Sequence, residues 1–191
     1  MSTLYYVTHP NVRVDPDVPV PDWSLSEVGR ERANSMANQS WLGSVQRLIS
    51  STEQKALEMA AIVAEFTGLS IEERNGIGET DRSSTGFVPH EVHEDLADRF
   101  FAVPEESASG WERAIDAQQR IVAALDDVTT PGDEAVMVVG HGAVGTLLMS
   151  HLAGLAIDRQ HDQPGQGHYW AYDRTTQQLL HRWQPIDTPP T

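Results

Sequence analysis

Two histidines stand where short apolar runs stop. His9 follows Leu4 to Val7, and His141 follows Ala135 to Val139, the strongest strand signal in the chain. Ser50 and Ser51 close a third run, Val45 to Ile49. Runs of this length, rich in Val, Ile, Leu or Tyr, read as strands. Strands that alternate with helices form a mostly parallel sheet, and such sheets bind ligands at the carboxyl ends of their strands. Histidines on two strand ends can share a pocket, one as a covalent nucleophile and the other donating a hydrogen bond to developing negative charge. A phosphoryl group that passes through a phosphohistidine also needs a cationic cradle, best built from Arg, and an acid for the leaving oxygen, commonly Glu.

The elements that must position these residues follow in order. Pro10 cannot donate to a strand ladder and ends the first strand; Arg13 to Asp22 reads as a loop. Ser24 or Ser26 caps a helix with Leu25, Val28, Ala33, Met36 and Ala37 on one stripe. Ala56, Met59, Ala60, Val63 and Phe66 give a second helix, closed by Gly68. A third strand is expected over Leu69 to Glu72, then an ordered loop from Asn75 to Pro89. Helices are expected over Glu91 to Phe101 and from Trp111 to Leu125, with Trp111 as core. Val144, Leu147, Leu148 and Leu152 line a helix after Gly140-His141-Gly142, and Tyr169 to Tyr172 and Leu179 to Trp183 close the chain as strands. The expected fold is α/β, a three-layer α/β/α sandwich with a mostly parallel central sheet, in one domain spanning 1–191.

Composition removes whole classes of function. The chain has 191 residues, 39% hydrophobic and 21% charged, as an ordinary globular domain does. With 13 Lys+Arg against 28 Asp+Glu, its net charge is −15, which repels nucleic acid and anionic lipid. No cysteine is present, so disulfides, thiolate metal sites and thiol nucleophiles are absent. No apolar stretch approaches the ~20 residues of a membrane helix, and MSTLYYVTHP is unlike a signal peptide. The cytoplasm is the default location, with a homodimer left open. His90 and His93 share a helix face, but this spacing lacks a third ligand for a metal. A solvated acidic helix at a pocket mouth explains them better. His168, Tyr169 and Trp170 are accounted for by sheet packing.

Taken in order, the motifs resemble the histidine phosphatase superfamily, in its phosphoglycerate-mutase-like branch. Leu4-Tyr5-Tyr6-Val7-Thr8-His9-Pro10 is similar to the opening strand that normally ends in Arg-His-Gly. Leu25-Ser26-Glu27-Val28-Gly29-Arg30-Glu31-Arg32-Ala33 resembles the helix start that follows it. Ile49-Ser50-Ser51-Thr52-Glu53-Gln54-Lys55-Ala56 resembles the family's serine-rich segment with its second phosphate-binding Arg. Gly78-Glu79 stands at the family's acid, and Val138-Val139-Gly140-His141-Gly142 resembles its second histidine motif. The resemblance implies that His9 is phosphorylated, that Glu79 donates the proton, that His141 stabilises the transferred group and that Lys55 replaces an Arg. It also implies a small phosphorylated substrate, no cofactor and no metal, and a variable substrate-facing insert at about 80–110.

The departures are chemical. Thr8 replaces the Arg before the nucleophile and Pro10 the Gly after it, removing a cation and a backbone N–H. Lys55 lacks the planar fork of Arg. Arg13 and Arg82 are the replacement cations in reach by sequence, and Thr8 and Asn11 offer neutral donors. Ser51 reads as a helix-entry residue. The expected activity is a metal-independent phosphomonoesterase, with a mutase disfavoured by the thin supply of cations. The alternatives are a catalytically impaired pseudo-phosphatase acting as a ligand-binding module, and an acid–base enzyme using the histidine pair on a non-phosphate substrate.

Overall fold

The computed structural model describes residues 2–187. Its six-stranded sheet has the order β3-β2-β4-β1-β5-β6, with β1 at Thr3–Thr8, β2 at Val45–Ser51, β3 at Ile71–Arg74, β4 at Ala135–Gly140, β5 at His168–Asp173 and β6 at Gln178–Pro185. The β1–β4, β2–β4 and β2–β3 pairs are parallel, whereas β1–β5 and β5–β6 are antiparallel. The sheet is therefore parallel through its first four strands and closed by an antiparallel pair.

Alternation along the strands sorts side chains onto two faces. Leu4, Tyr6, Val136, Val138 and Ile49 point into one core with Phe100, Phe101, Ile121, Leu147 and Leu148. Val7, Met137, Val139 and Leu48 point into the other, with Ala33, Met59, Ala60 and Val63. Helices α1 (Glu27–Ser35) and α2 (Gln54–Thr67) thus cover one face, and α3 (His90–Ala102), α4 (Ala114–Ala124) and α6 (Gly142–Leu152) the other. Every residue of β4 is buried, as expected of a central strand covered on both sides.

Local chemistry explains the boundaries. Ser26 caps α1, its hydroxyl accepting from the Gly29 N–H at 3.1 Å. Gly68 ends α2 in the left-handed region, at φ 71°. Two expectations are corrected. The third strand lies at Ile71–Arg74 rather than Leu69 to Glu72, because Gly68 ends α2 and the chain must travel before it can pair with β2. The helix expected from Trp111 begins at Ala114. Trp111 instead precedes it, its indole N–H donating to the Thr85 hydroxyl at 2.9 Å. A one-turn helix, α5 (Asp126–Thr129), was not anticipated. Among the described residues, no helix is long and apolar enough to cross a membrane.

Candidate active site

Parallel register brings the two histidines together. Thr8 of β1 pairs with Gly140 of β4, so the next residue on each strand, His9 and His141, emerges from the same sheet edge. The His9 backbone N–H donates to the Gly140 carbonyl at 3.2 Å, and the rings lie 5.3 Å apart, centre to centre. The flanking glycines make close approach possible: a Cβ on Gly140 would lie 2.2 Å from the Tyr6 hydroxyl, and one on Gly142 2.2 Å from the Gln163 amide nitrogen. That Tyr6 hydroxyl accepts the His141 N–H and donates to the His141 carbonyl, both at 3.1 Å, fixing the turn between β4 and α6.

His9 is buried, with Nδ1 2.9 Å from the Pro10 carbonyl. A carbonyl only accepts, so Nδ1 carries the proton and Nε2 is left with its lone pair. Burial, reinforced by the His141 ring, lowers the His9 pKa to about 3. The ring is therefore neutral at physiological pH.

His141 is fully buried. Its Nε2 lies 2.9 Å from the Ser51 hydroxyl and 3.4 Å from Glu53 Oε1, and among the described residues Nδ1 has no hydrogen-bond partner. Burial holds its pKa below the usual histidine value, against the opposing pull of Glu53 and Glu79.

Glu53 was missed in the sequence. Besides facing His141, its carboxylate pairs with the Lys55 ammonium and accepts the Glu79 backbone N–H at 2.7 Å. Burial raises its pKa, but His141 and Lys55 outweigh that and bring it to about 2. The available signal was Lys55 itself, a cation in the first turn of α2, where the helix dipole opposes it. Glu53, at the N-cap of the same helix, supplies the missing counter-charge. Ser51 likewise does more than start a helix, since it is bonded to His141.

Glu79, the acid implied by the resemblance, lines the same cavity as the two histidines. Its carboxylate accepts from the Thr80 N–H at 2.9 Å and from the Ala143 and Val144 N–H groups, each at 3.3 Å, at the start of α6. Burial pushes its pKa up, but Arg82, His141 and the Thr80 N–H hold it below the usual carboxylate range. The free site thus keeps this acid candidate ionised, unlike a resting general acid.

His9, His141, Glu79, Lys55 and Arg82 line one cavity of about 830 Å³. Arg82 contacts the His93 ring nitrogen and lies 5.5 Å from the centre of the Trp111 ring. Three expected phosphate ligands are corrected, because Arg13, Asn11 and Thr8 do not line the cavity. Arg13 is exposed. The Asn11 side-chain oxygen accepts from Arg32 at 2.8 Å. Thr8 is buried behind the site, its hydroxyl donating to Gln163 Oε1 at 2.7 Å and accepting the His168 N–H at 3.0 Å. Gln163 does line the cavity, beside Asp162, and no sequence signal marked either. Burial raises the Asp162 pKa, opposed by the Thr146 hydroxyl and the Gln163 N–H. His93 is engaged by Arg82 and Glu94, and among the described residues no group of three or more His, Cys, Asp or Glu could hold a metal ion.

Comparison with known proteins identifies the family and agrees with the fold. The family model described as histidine phosphatase superfamily (branch 1) matches residues 14–171. The matched span begins after His9. Comparison with the curated proteins finds no relative by sequence. Among solved structures, a mycobacterial glucosyl-3-phosphoglycerate phosphatase with inorganic phosphate is similar at TM-score 0.77 and 19% identity, covering 97% of this chain and 99% of that one. A phosphoserine phosphatase from Entamoeba histolytica with 3-phosphoglyceric acid gives 0.75 and 14%, covering 98% and 100%. Bacillus stearothermophilus YhfR gives 0.73 and 24%, covering 88% and 89%. At these identities the likeness is one of fold.

Proposed function

The chain belongs to the histidine phosphatase superfamily, branch 1, and on that premise we propose that it hydrolyses a small phosphomonoester through a phosphohistidine on His9, without a metal. The observation that carries this reading is the His9–His141 pair, 5.3 Å apart at adjacent strand ends, with His9 neutral and its Nε2 lone pair free.

His9 Nε2 attacks phosphorus as the bond from phosphorus to the ester oxygen breaks. Glu79 gives the leaving oxygen its proton. Because Glu79 is ionised in the free site, it takes up a proton from solvent as the substrate binds: a phosphate dianion beside the carboxylate raises its pKa by like-charge repulsion. Water then attacks phosphorus, Glu79 takes its proton, and His9 departs as inorganic phosphate forms. The same dianion offsets the burial penalty on His141 and favours its imidazolium, which donates from the otherwise unpartnered Nδ1.

Arg82, Lys55 and the Gln163 amide form the cradle. Lys55 uses one N–H on Glu53 and another on the Val20 carbonyl, and its third is left for a phosphoryl oxygen. The Thr8 hydroxyl holds the Gln163 oxygen, which turns the amide N–H groups the other way. A neutral donor then stands in the site in place of the cation that Thr8 removed.

Nothing in the comparisons favours a non-catalytic module. The test is turnover of an aryl phosphate with EDTA present throughout, for the wild type and for His9→Ala. Activity that vanishes with His9 supports the reading; activity that survives it, or a folded wild type inert toward every phosphomonoester, overturns it.

A further inference from the structure

Beyond the phosphoryl site, the cavity has a wall that none of these steps uses. Trp23 and Phe87 meet there with ring centres 5.8 Å apart. The Trp23 N–H donates to the Asp15 and Val18 carbonyls at 2.9 and 3.0 Å, so its polar atom is satisfied, and the residue lines the cavity while only 9% exposed. Phe87 and Val14 are 42% and 54% exposed, and both line the cavity. Large apolar side chains left open to water around a concave site mark where apolar surface of a ligand is covered.

Two of the cations that line the cavity, Lys55 and Arg159, already have carboxylate partners. Lys55 is paired with Glu53. Arg159 lies 2.8 Å from Glu94, 3.2 Å from Asp98 and 3.3 Å from Asp162. Among the described residues Arg82 has no carboxylate partner within ion-pair distance, and in the cradle it serves the phosphoryl group. A second anionic group on the same ligand would meet Glu94 and Asp162, and would have to share Arg159 with the three carboxylates that already surround it. Desolvating such a group unpaired is costly, and the net charge of −15 adds to the repulsion.

We propose that the substrate is a phosphomonoester of an uncharged apolar or aromatic group, which Trp23 and Phe87 select; this rests on the phosphatase reading above. Two measurements separate the two claims. The first compares kcat/KM for 1-naphthyl phosphate, methyl phosphate, 3-phosphoglycerate and phosphoserine. The naphthyl ester is expected to exceed the two carboxylated esters by at least about tenfold, and Phe87→Ala and Trp23→Ala to lower the naphthyl-to-methyl ratio several-fold, as loss of one aromatic contact does. The second reads binding alone, by quenching of tryptophan fluorescence with a non-hydrolysable naphthylmethylphosphonate and with the phosphonate analogue of phosphoserine. Tighter binding of the aryl phosphonate, weakened by Phe87→Ala, supports the ligand class even if no ester is turned over, an outcome that would sink the phosphatase reading alone. Equal or tighter binding of the carboxylated analogue, no binding of either, or an aryl preference indifferent to both substitutions overturns it.

Discussion

The Thr8 hydroxyl donates to Gln163 Oε1 at 2.7 Å, so the residue just before His9 orients an amide at the edge of the cavity. The pair predicts a graded response. Gln163→Ala removes one neutral donor and should lower kcat/KM about tenfold, the scale of one hydrogen bond. Gln163→Glu puts a carboxylate against the phosphoryl group and should cost more. Thr8→Val should resemble Gln163→Ala. Inhibition constants for vanadate should rise in the same order; no change with Gln163→Glu would remove the amide from the cradle.

Arg82 lines the cavity and Arg13 does not. Losing a charged contact to the transition state commonly costs ~10²–10³ in rate, so Arg82→Gln should lower kcat/KM by that order while Arg13→Gln leaves it within about twofold. Steady-state kinetics of the two variants decide the matter, and the reverse pattern would mean that the cradle is built from the other side.

Glu79 matters in proportion to how badly the leaving group needs a proton. Glu79→Gln should slow an alkyl phosphate by ~10²–10⁴ and a 4-nitrophenyl ester far less, since nitrophenolate leaves unprotonated. Equal losses on both esters would assign Glu79 to positioning the start of α6.

Acid should destabilise the fold through the same groups. His9 has a folded pKa of about 3 against an ordinary 6.5, so the unfolded chain takes up a proton that the folded one refuses. The stability this contributes is full above pH 6.5 and lost as pH falls toward 3. Glu53, at about 2 against 4.5, acts in the same direction from pH 4.5 downward. Thermal denaturation should show Tm falling from pH 7 to pH 4, and His9→Asn should flatten the part between pH 6.5 and 4.5, with His141, His93 and His168, all lowered by burial, supplying what slope remains. A Tm that rises on acidification would contradict this.

Much of the architecture was legible because the chain marks it locally. Gly68 ends α2, Ser26 starts α1, and the apolar run before Gly140 could only be a covered strand. Both histidines could be singled out because strand ends lie at readable places in the chain, whereas Glu79 came only from the family resemblance. Glu53 and Gln163 were not, because their importance lies in contacts: Glu53 with His141, and Gln163 with Thr8, 155 residues away. Arg13 misled because nearness to His9 in sequence says nothing of direction. After Pro10 the chain turns outward, and its Arg13 N–H bonds the Ser24 carbonyl instead.

The central claim is a covalent phosphohistidine on His9. Incubation with an aryl phosphate and rapid quenching at alkaline pH, where phosphohistidine survives, should give a protein heavier by one phosphoryl group. Peptide mapping should place that group on His9, at Nε2, and His9→Ala should carry none. A phosphoryl group on His141 or on a serine, or rapid turnover with no trapped intermediate under single-turnover conditions, would contradict the account.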